Sequence, residues 1–166
     1  MSYRENAVGL LFKLMARNYL DGRFYLNAAE DCKRLIGKNL FKKLAHQKRN
    51  FYKKIKYEIE VLEREIFLLT GKNRKVDENF KLPEPPVVTH FKKEQEDLIN
   101  ECYKREKQSL GMYNNILAKI NIGKIREMLL FQKHSIQMVL QEIEILGFRD
   151  YEPSGNGKNE QQKNFK

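Results

Sequence analysis

"FKKLAHQKRNFYKKIKYEIEVLEREIFLL", residues 41–69, is the stretch on which the fold turns. Wound at 3.6 residues per turn, Phe41, Leu44, Phe51, Ile55, Leu62, Ile66 and Leu69 fall in one stripe. Lys42, Arg49, Lys53 and Lys56 lie roughly opposite it. This pattern predicts one long amphipathic helix whose apolar side needs partners. Asn39 is its expected N-cap and Gly71 its stop, giving a helix over 39–70. Lys48 falls near the stripe and is expected to run along apolar neighbours and reach water.

Three more segments carry the same period. From Tyr3 to Arg34, Ala7, Leu11, Leu14, Tyr25, Ala28 and Cys32 share a face, and Gly37 is expected to break the chain before the next helix. Gly22 falls mid-helix, where it costs about 1 kcal/mol against Ala. From Thr89, as N-cap, to Ile120, the stripe is Leu98, Cys102, Ser109, Met112, Ile116 and Ile120. From Lys124 to Leu146 it is Ile125, Met128, Leu129, Ile136, Val139, Leu140, Ile143 and Leu146, with Gly147 as the stop.

Four such helices predict an all-α four-helix bundle spanning residues 1–150, followed by a polar, disordered tail over 151–166. The first and third connections are short, so each joins antiparallel neighbours. The middle one holds Pro83, Pro85 and Pro86, which exclude a regular helix. Its roughly 18 residues reach about 60 Å when extended. That is enough for a long crossover between helices 2 and 3, though a local return is equally within reach.

Charge and cysteines narrow the setting. The chain has 166 residues and a formal net charge of +10. Ten basic and no acidic residues lie between Lys33 and Lys56, and the remainder balances. No apolar run approaches the ~18–20 residues of a membrane span. The first residues carry charges within their apolar part and do not resemble a signal peptide. Cys32 and Cys102 lack metal-ligand spacing and are expected as buried, reduced thiols of a cytoplasmic protein. The basic run reads chiefly as a solvated face. Its functional counterpart is an anionic partner, whether nucleic acid, lipid or acidic protein, held by Lys42, Arg49, Lys53 and Lys56.

Four motifs carry a resemblance: "DGRFYLNAAED" (21–31), "LFKKLAHQKRNF" (40–51), "LINECYKREKQSLGMY" (98–113) and "LLFQKHSIQMVL" (129–140). In this order the chain resembles a bacterial ferritin-like family of unknown function. Tyr25, Ala28, Ala29, Glu30, Leu44, Ala45, Gln47, Phe51, Glu101, Cys102, Glu106, Tyr113 and Gln132 match its segments. The resemblance covers about residues 10–146. It implies a ferritin-like four-helix bundle and no established reaction.

Ferritin-like oxidases hold two irons with a Glu from each of two helices and a Glu-x-x-His pair from each of the other two. The chain contains no Glu-x-x-His. His46 and His134 fall roughly opposite their stripes, and His90 lies at the start of the third helix. Asn18, Asp21 and Arg105 fall on the core stripes, and Gln132 points inward. Gln47, Glu58, Glu101 and Glu106 flank the stripes. The expectation is a buried hydrogen-bonded network of Asn18, Asp21, Tyr25, Gln47, Glu101, Arg105 and Gln132, with no cofactor. The alternative is a metal–carboxylate site of Asp21, Glu58, Glu101 and Glu106, serving an oxidase or storage protein. No phosphate-binding loop or nucleophile–base pair accompanies either. The expected role is therefore binding or assembly without catalysis, with a homodimer as a plausible assembly.

Overall fold

The computed structural model describes residues 2–71 and 95–145. Four helices account for nearly all of them: α1 (Tyr3–Asp31), α2 (Leu35–Thr70), α3 (Gln95–Leu117) and α4 (Gly123–Ile145). Among the described residues there is no strand, and no helix is long and apolar enough to cross a membrane. Thr89, His90, the three prolines, Leu146, Gly147 and the polar tail lie outside the described residues.

Local chemistry sets the helix ends. Ser2 and Glu5 form a reciprocal capping box at the start of α1, satisfying two donors that the first turn leaves free. Gly71 ends α2 at φ +66°, a left-handed conformation that costs glycine little. The α1–α2 corner differs from the sequence expectation. α1 ends at Asp31, and α2 begins at Leu35 rather than at Asn39, with Arg34 as an N-cap that makes no side-chain bond. Gly37 is a buried residue inside α2 rather than a break. A single glycine in the first turn costs about 1 kcal/mol, which burial of Leu40 and Phe41 in the next turn readily offsets.

Side-chain contacts give the direction of each helix. Arg4 meets Glu65, Tyr19 meets Tyr52 and Tyr25 meets Phe41, so α1 and α2 are antiparallel. Tyr25 meets Glu106 and Asn18 meets Tyr113, so α1 and α3 are antiparallel. Lys43 meets Glu142 and Glu58 meets Lys124, so α2 and α4 are antiparallel. It follows that α2 and α3 run in the same direction, and the chain between them must join opposite ends of the bundle. Placing Glu106 level with Lys48, Thr70 and Gln95 are about 50 Å apart along the axis at ~1.5 Å per residue. This is the connectivity of a four-helix bundle with one long crossover.

The core falls into two apolar layers. One gathers Leu11, Leu14, Phe51, Ile55, Ile116, Leu129 and their neighbours. The other gathers Tyr25, Phe41, Leu44, Ile99, Cys102 and Ile143. Nearly every residue on the sequence-derived stripes is buried. Leu69 is exposed at the α2 terminus, and Met112 and Met128 are half-buried at the rim.

Candidate functional site

Between the apolar layers lies a belt of buried polar residues. Each helix contributes at the point where its run of apolar residues passes from one layer to the other or pauses within one. On α1, Asn18 and Asp21 follow Met15 and precede Tyr25. On α2, Lys48 lies between Ala45 and Phe51. On α3, Glu106 and Ser109 lie between Cys102 and Tyr113. On α4, Gln132 lies between Leu129 and Ile136. All six polar side chains are fully buried.

Lys48 is the centre of the belt. It stands four residues after Leu44 and three before Phe51, a core position of α2, and its side chain is 0% exposed. The sequence expectation that it reaches water is overturned. Its Nζ instead donates to Glu106 Oε2 at 2.9 Å and lies 5.5 Å from the Phe51 ring centroid. The opposite face of this site is Gly22 of α1. A Cβ there would stand 3.6 Å from Lys48 Cβ, so the glycine brings α1 and α2 close at this level. Glu106 uses its other oxygen as well: Tyr25 OH donates to Oε1 at 2.8 Å.

Asp21 is gripped from two sides. Arg17 Nε donates to Oδ2 at 2.8 Å and Arg105 Nη1 to Oδ1 at 3.1 Å. Arg105 also reaches Glu101 Oε1 at 3.5 Å and lays its guanidinium 4.0 Å from the Phe24 ring centroid. Arg17 Nη2 donates to the Arg105 carbonyl at 2.8 Å. Three cations (Lys48, Arg17, Arg105) thus meet three carboxylates (Asp21, Glu101, Glu106), and the belt is charge-balanced by the chain itself. Buried charges are stable only when paired and hydrogen-bonded, and these are.

A neutral chain of amides and phenols adjoins it. Asn18 Nδ2 donates to the Leu14 carbonyl at 2.9 Å and to Tyr113 OH at 3.0 Å. Tyr113 OH donates to Gln132 Oε1 at 2.6 Å. Asn18 Oδ1, Ser109 Oγ and Gln132 Nε2 are buried without a partner. Burial raises both phenols: it pushes Tyr25 well above its ordinary value, reinforced by Coulombic repulsion from Cys102, Glu106 and Asp21, and also raises Tyr113. Burial likewise pushes the Cys102 thiol up to about 12, with Glu106 adding to the effect. Cys32 and Cys102 are both buried and free.

Of the residues expected in the network, Asn18, Asp21, Tyr25, Glu101, Arg105 and Gln132 belong to it. Gln47 does not. It faces the groove between α2 and α4, beside Lys43, Ser135 and Met138, with Oε1 buried and unpartnered. On α3 the expected roles of neighbours are exchanged: Glu106 is central, while Arg105 is half-buried at the edge. The inward line of α3 runs Cys102, Glu106, Ser109, Tyr113, one residue round from Arg105. Glu58 stands apart from the other acidic candidates, about 15 Å along α2 from Lys48. It pairs with Lys124 at 3.5 Å. Among the described residues no three His, Cys, Asp or Glu side chains come together in a metal-ligating group. His46 and His134 are exposed. Arg17, Lys48 and Tyr113 join the network in addition to the expected members. The i, i+4 spacing of Arg17 and Asp21, and the place of Lys48 between Leu44 and Phe51, were the available signals.

Lys42, Arg49, Lys53 and Lys56 are exposed on the outer face of α2, and none forms an ion pair among the described residues. No protein-family model, curated protein or solved structure matches the chain. The class defined by the coordinates is therefore a four-helix bundle with one long crossover and a buried, self-neutralised polar belt.

Proposed function

We propose that this chain is a ferritin-like bundle protein that acts by binding or assembly and has no di-iron chemistry. The observation that carries the reading is Lys48. A di-iron centre needs inward carboxylates and imidazoles free to ligate. Here the inward positions are Asn18 and Asp21, Lys48, Glu106, and Gln132. An ammonium group donates three hydrogens and offers no lone pair, so Lys48 repels a metal from the carboxylate it neutralises. Asp21 is committed to two guanidinium groups in the same way. The donor set does not fit the metal, and the belt performs the charge compensation that metal would otherwise supply. What remains is a rigid bundle that offers its surface.

Elemental analysis tests the reading. Protein purified without chelator, then incubated with Fe(II) or Mn(II) and desalted, is expected to retain far less than one ion per chain. Stoichiometric iron or manganese, lost on substitution of Asp21 or Glu106, would overturn it.

A further inference from the structure

The outer face of α2 is a basic ridge from Lys42 to Lys56, ended by the exposed Glu60 on the same arc. At ~100° per residue, Lys42, Arg49, Lys53 and Lys56 lie within an arc of roughly 60°, spread over about 21 Å of helix. All four are exposed, as is His46 between them, and no acidic residue occurs from Lys33 to Lys56. Leu35 lies on the same outward arc, one end further along. It and Ile36 are 70% and 64% exposed at the α1–α2 corner. Lys33 and Arg34, also exposed, precede them directly. An exposed apolar pair set among cations at the end of the ridge fits an interface that is anionic outside and apolar beneath.

We propose that this ridge docks the bundle on an anionic lipid bilayer, with the cations on the headgroups and Leu35 and Ile36 in the interfacial layer. The proposal names a partner for the binding role above and rests on it. A plane of anionic headgroups can meet every side chain of a single-arc ridge at once. The phosphates of a nucleic-acid duplex wind round its axis, so a single-arc ridge meets fewer of them than it meets headgroups. α2 is also flanked by α1 and, through Lys43–Glu142, by α4, so only its outer face is free to meet a surface. Between Lys33 and Lys56 the aromatic residues offer bases no stacking platform, since Phe41 and Phe51 are in the core and Tyr52 is half-buried against Tyr19; Tyr57, exposed just beyond, has Lys124 Nζ 5.6 Å from its ring centroid.

The test is co-sedimentation of the full chain with vesicles of phosphatidylcholine, with and without phosphatidylserine. Binding is expected only with phosphatidylserine and is expected to weaken with salt. Each cation near the surface contributes roughly fivefold, so replacing Lys42, Arg49, Lys53 and Lys56 together by Gln lowers partitioning by several hundredfold. A control variant with Lys13, Arg23, Lys104 and Lys119 replaced by Gln loses the same charge from other exposed positions and retains most of the binding. Leu35→Ser with Ile36→Ser is expected to cost on the order of tenfold, and this loss persists at high salt. Circular dichroism confirms that each variant keeps its helix. The proposal is overturned by absence of binding to phosphatidylserine vesicles, by equal losses in the two four-site variants, or by tighter binding to a DNA duplex than to the vesicles. None of these outcomes bears on the metal measurement, so failure here is distinct from failure of the reading above.

Discussion

Replacing Lys48 by Met keeps most of the side-chain volume and removes the charge. Glu106 is then left fully buried without its cation, with Tyr25 OH as its only partner among those the structure records. Breaking a buried pair from one side costs about 3–5 kcal/mol. For a chain of this size, each kcal/mol moves Tm by roughly 2–4 °C, so Lys48→Met should melt about 6–20 °C lower. Glu106→Gln strands the ammonium instead and should cost a similar amount. The double variant leaves a neutral pair, and Gln still accepts from Tyr25. It should lie within about 1–2 kcal/mol of the unaltered protein, because removing both members of a buried pair forfeits little. The coupling between the two positions should therefore be several kcal/mol, as expected for contacting residues in one network. Urea unfolding followed at 222 nm, with all four proteins compared at equal m-value, measures it. Additive losses, or a Lys48→Met cost below about 1 kcal/mol, would refute the placement of Lys48 in the belt and restore a lysine that reaches water.

Three further outcomes follow from the same geometry. Cys102 is raised from 9.0 to about 12. Above pH 9 the unfolded thiol ionises while the folded one keeps its proton, so the folded state holds more protons and stability falls as pH rises. The slope from this group approaches 1.4 kcal/mol per pH unit, and Cys102→Ala should remove it between pH 9 and 10, as followed by urea titrations at each pH. Gly22→Ala adds a methyl in ordinary contact with Lys48 Cβ and gains helix propensity. It should stabilise by about 0.5–1 kcal/mol, while Gly22→Leu should destabilise by more than that. Ser109→Ala removes a buried hydroxyl without a partner and should be neutral or stabilising by about 1–2 kcal/mol; a loss of that size would show that the hydroxyl is bonded.

The helices were legible because their apolar residues repeat cleanly. Leu44, Phe51, Ile55 and Leu62 needed nothing beyond the 3.6 period to be placed in the core. The α1–α2 corner was less legible. Gly37 reads as a stop by propensity, and only packing of the neighbouring turn keeps it helical. Direction was hidden as well, since sequence reach allows the middle connection either to cross the bundle or to return. The contacts of α1 with α2 (Tyr19–Tyr52, Tyr25–Phe41) and with α3 (Asn18–Tyr113, Tyr25–Glu106) are both antiparallel, which settles that α2 and α3 are parallel. In the belt, Asn18, Asp21 and Gln132 were visible as polar residues on apolar stripes. Lys48 had the same position, but its long stem allows escape to water, and periodicity gives no way to choose. The choice depends on a carboxylate from α3, and an offset of one residue on that helix exchanged the roles of Arg105 and Glu106.

The most direct measurement is a crystal structure at a resolution that shows the belt side chains individually, with anomalous data collected at the iron and manganese edges from protein exposed to both metals. Lys48 Nζ is expected on Glu106, with Asp21 between Arg17 and Arg105 and no anomalous peak in the belt. A metal peak beside Asp21 or Glu106, with Lys48 turned outward to solvent, would contradict the account.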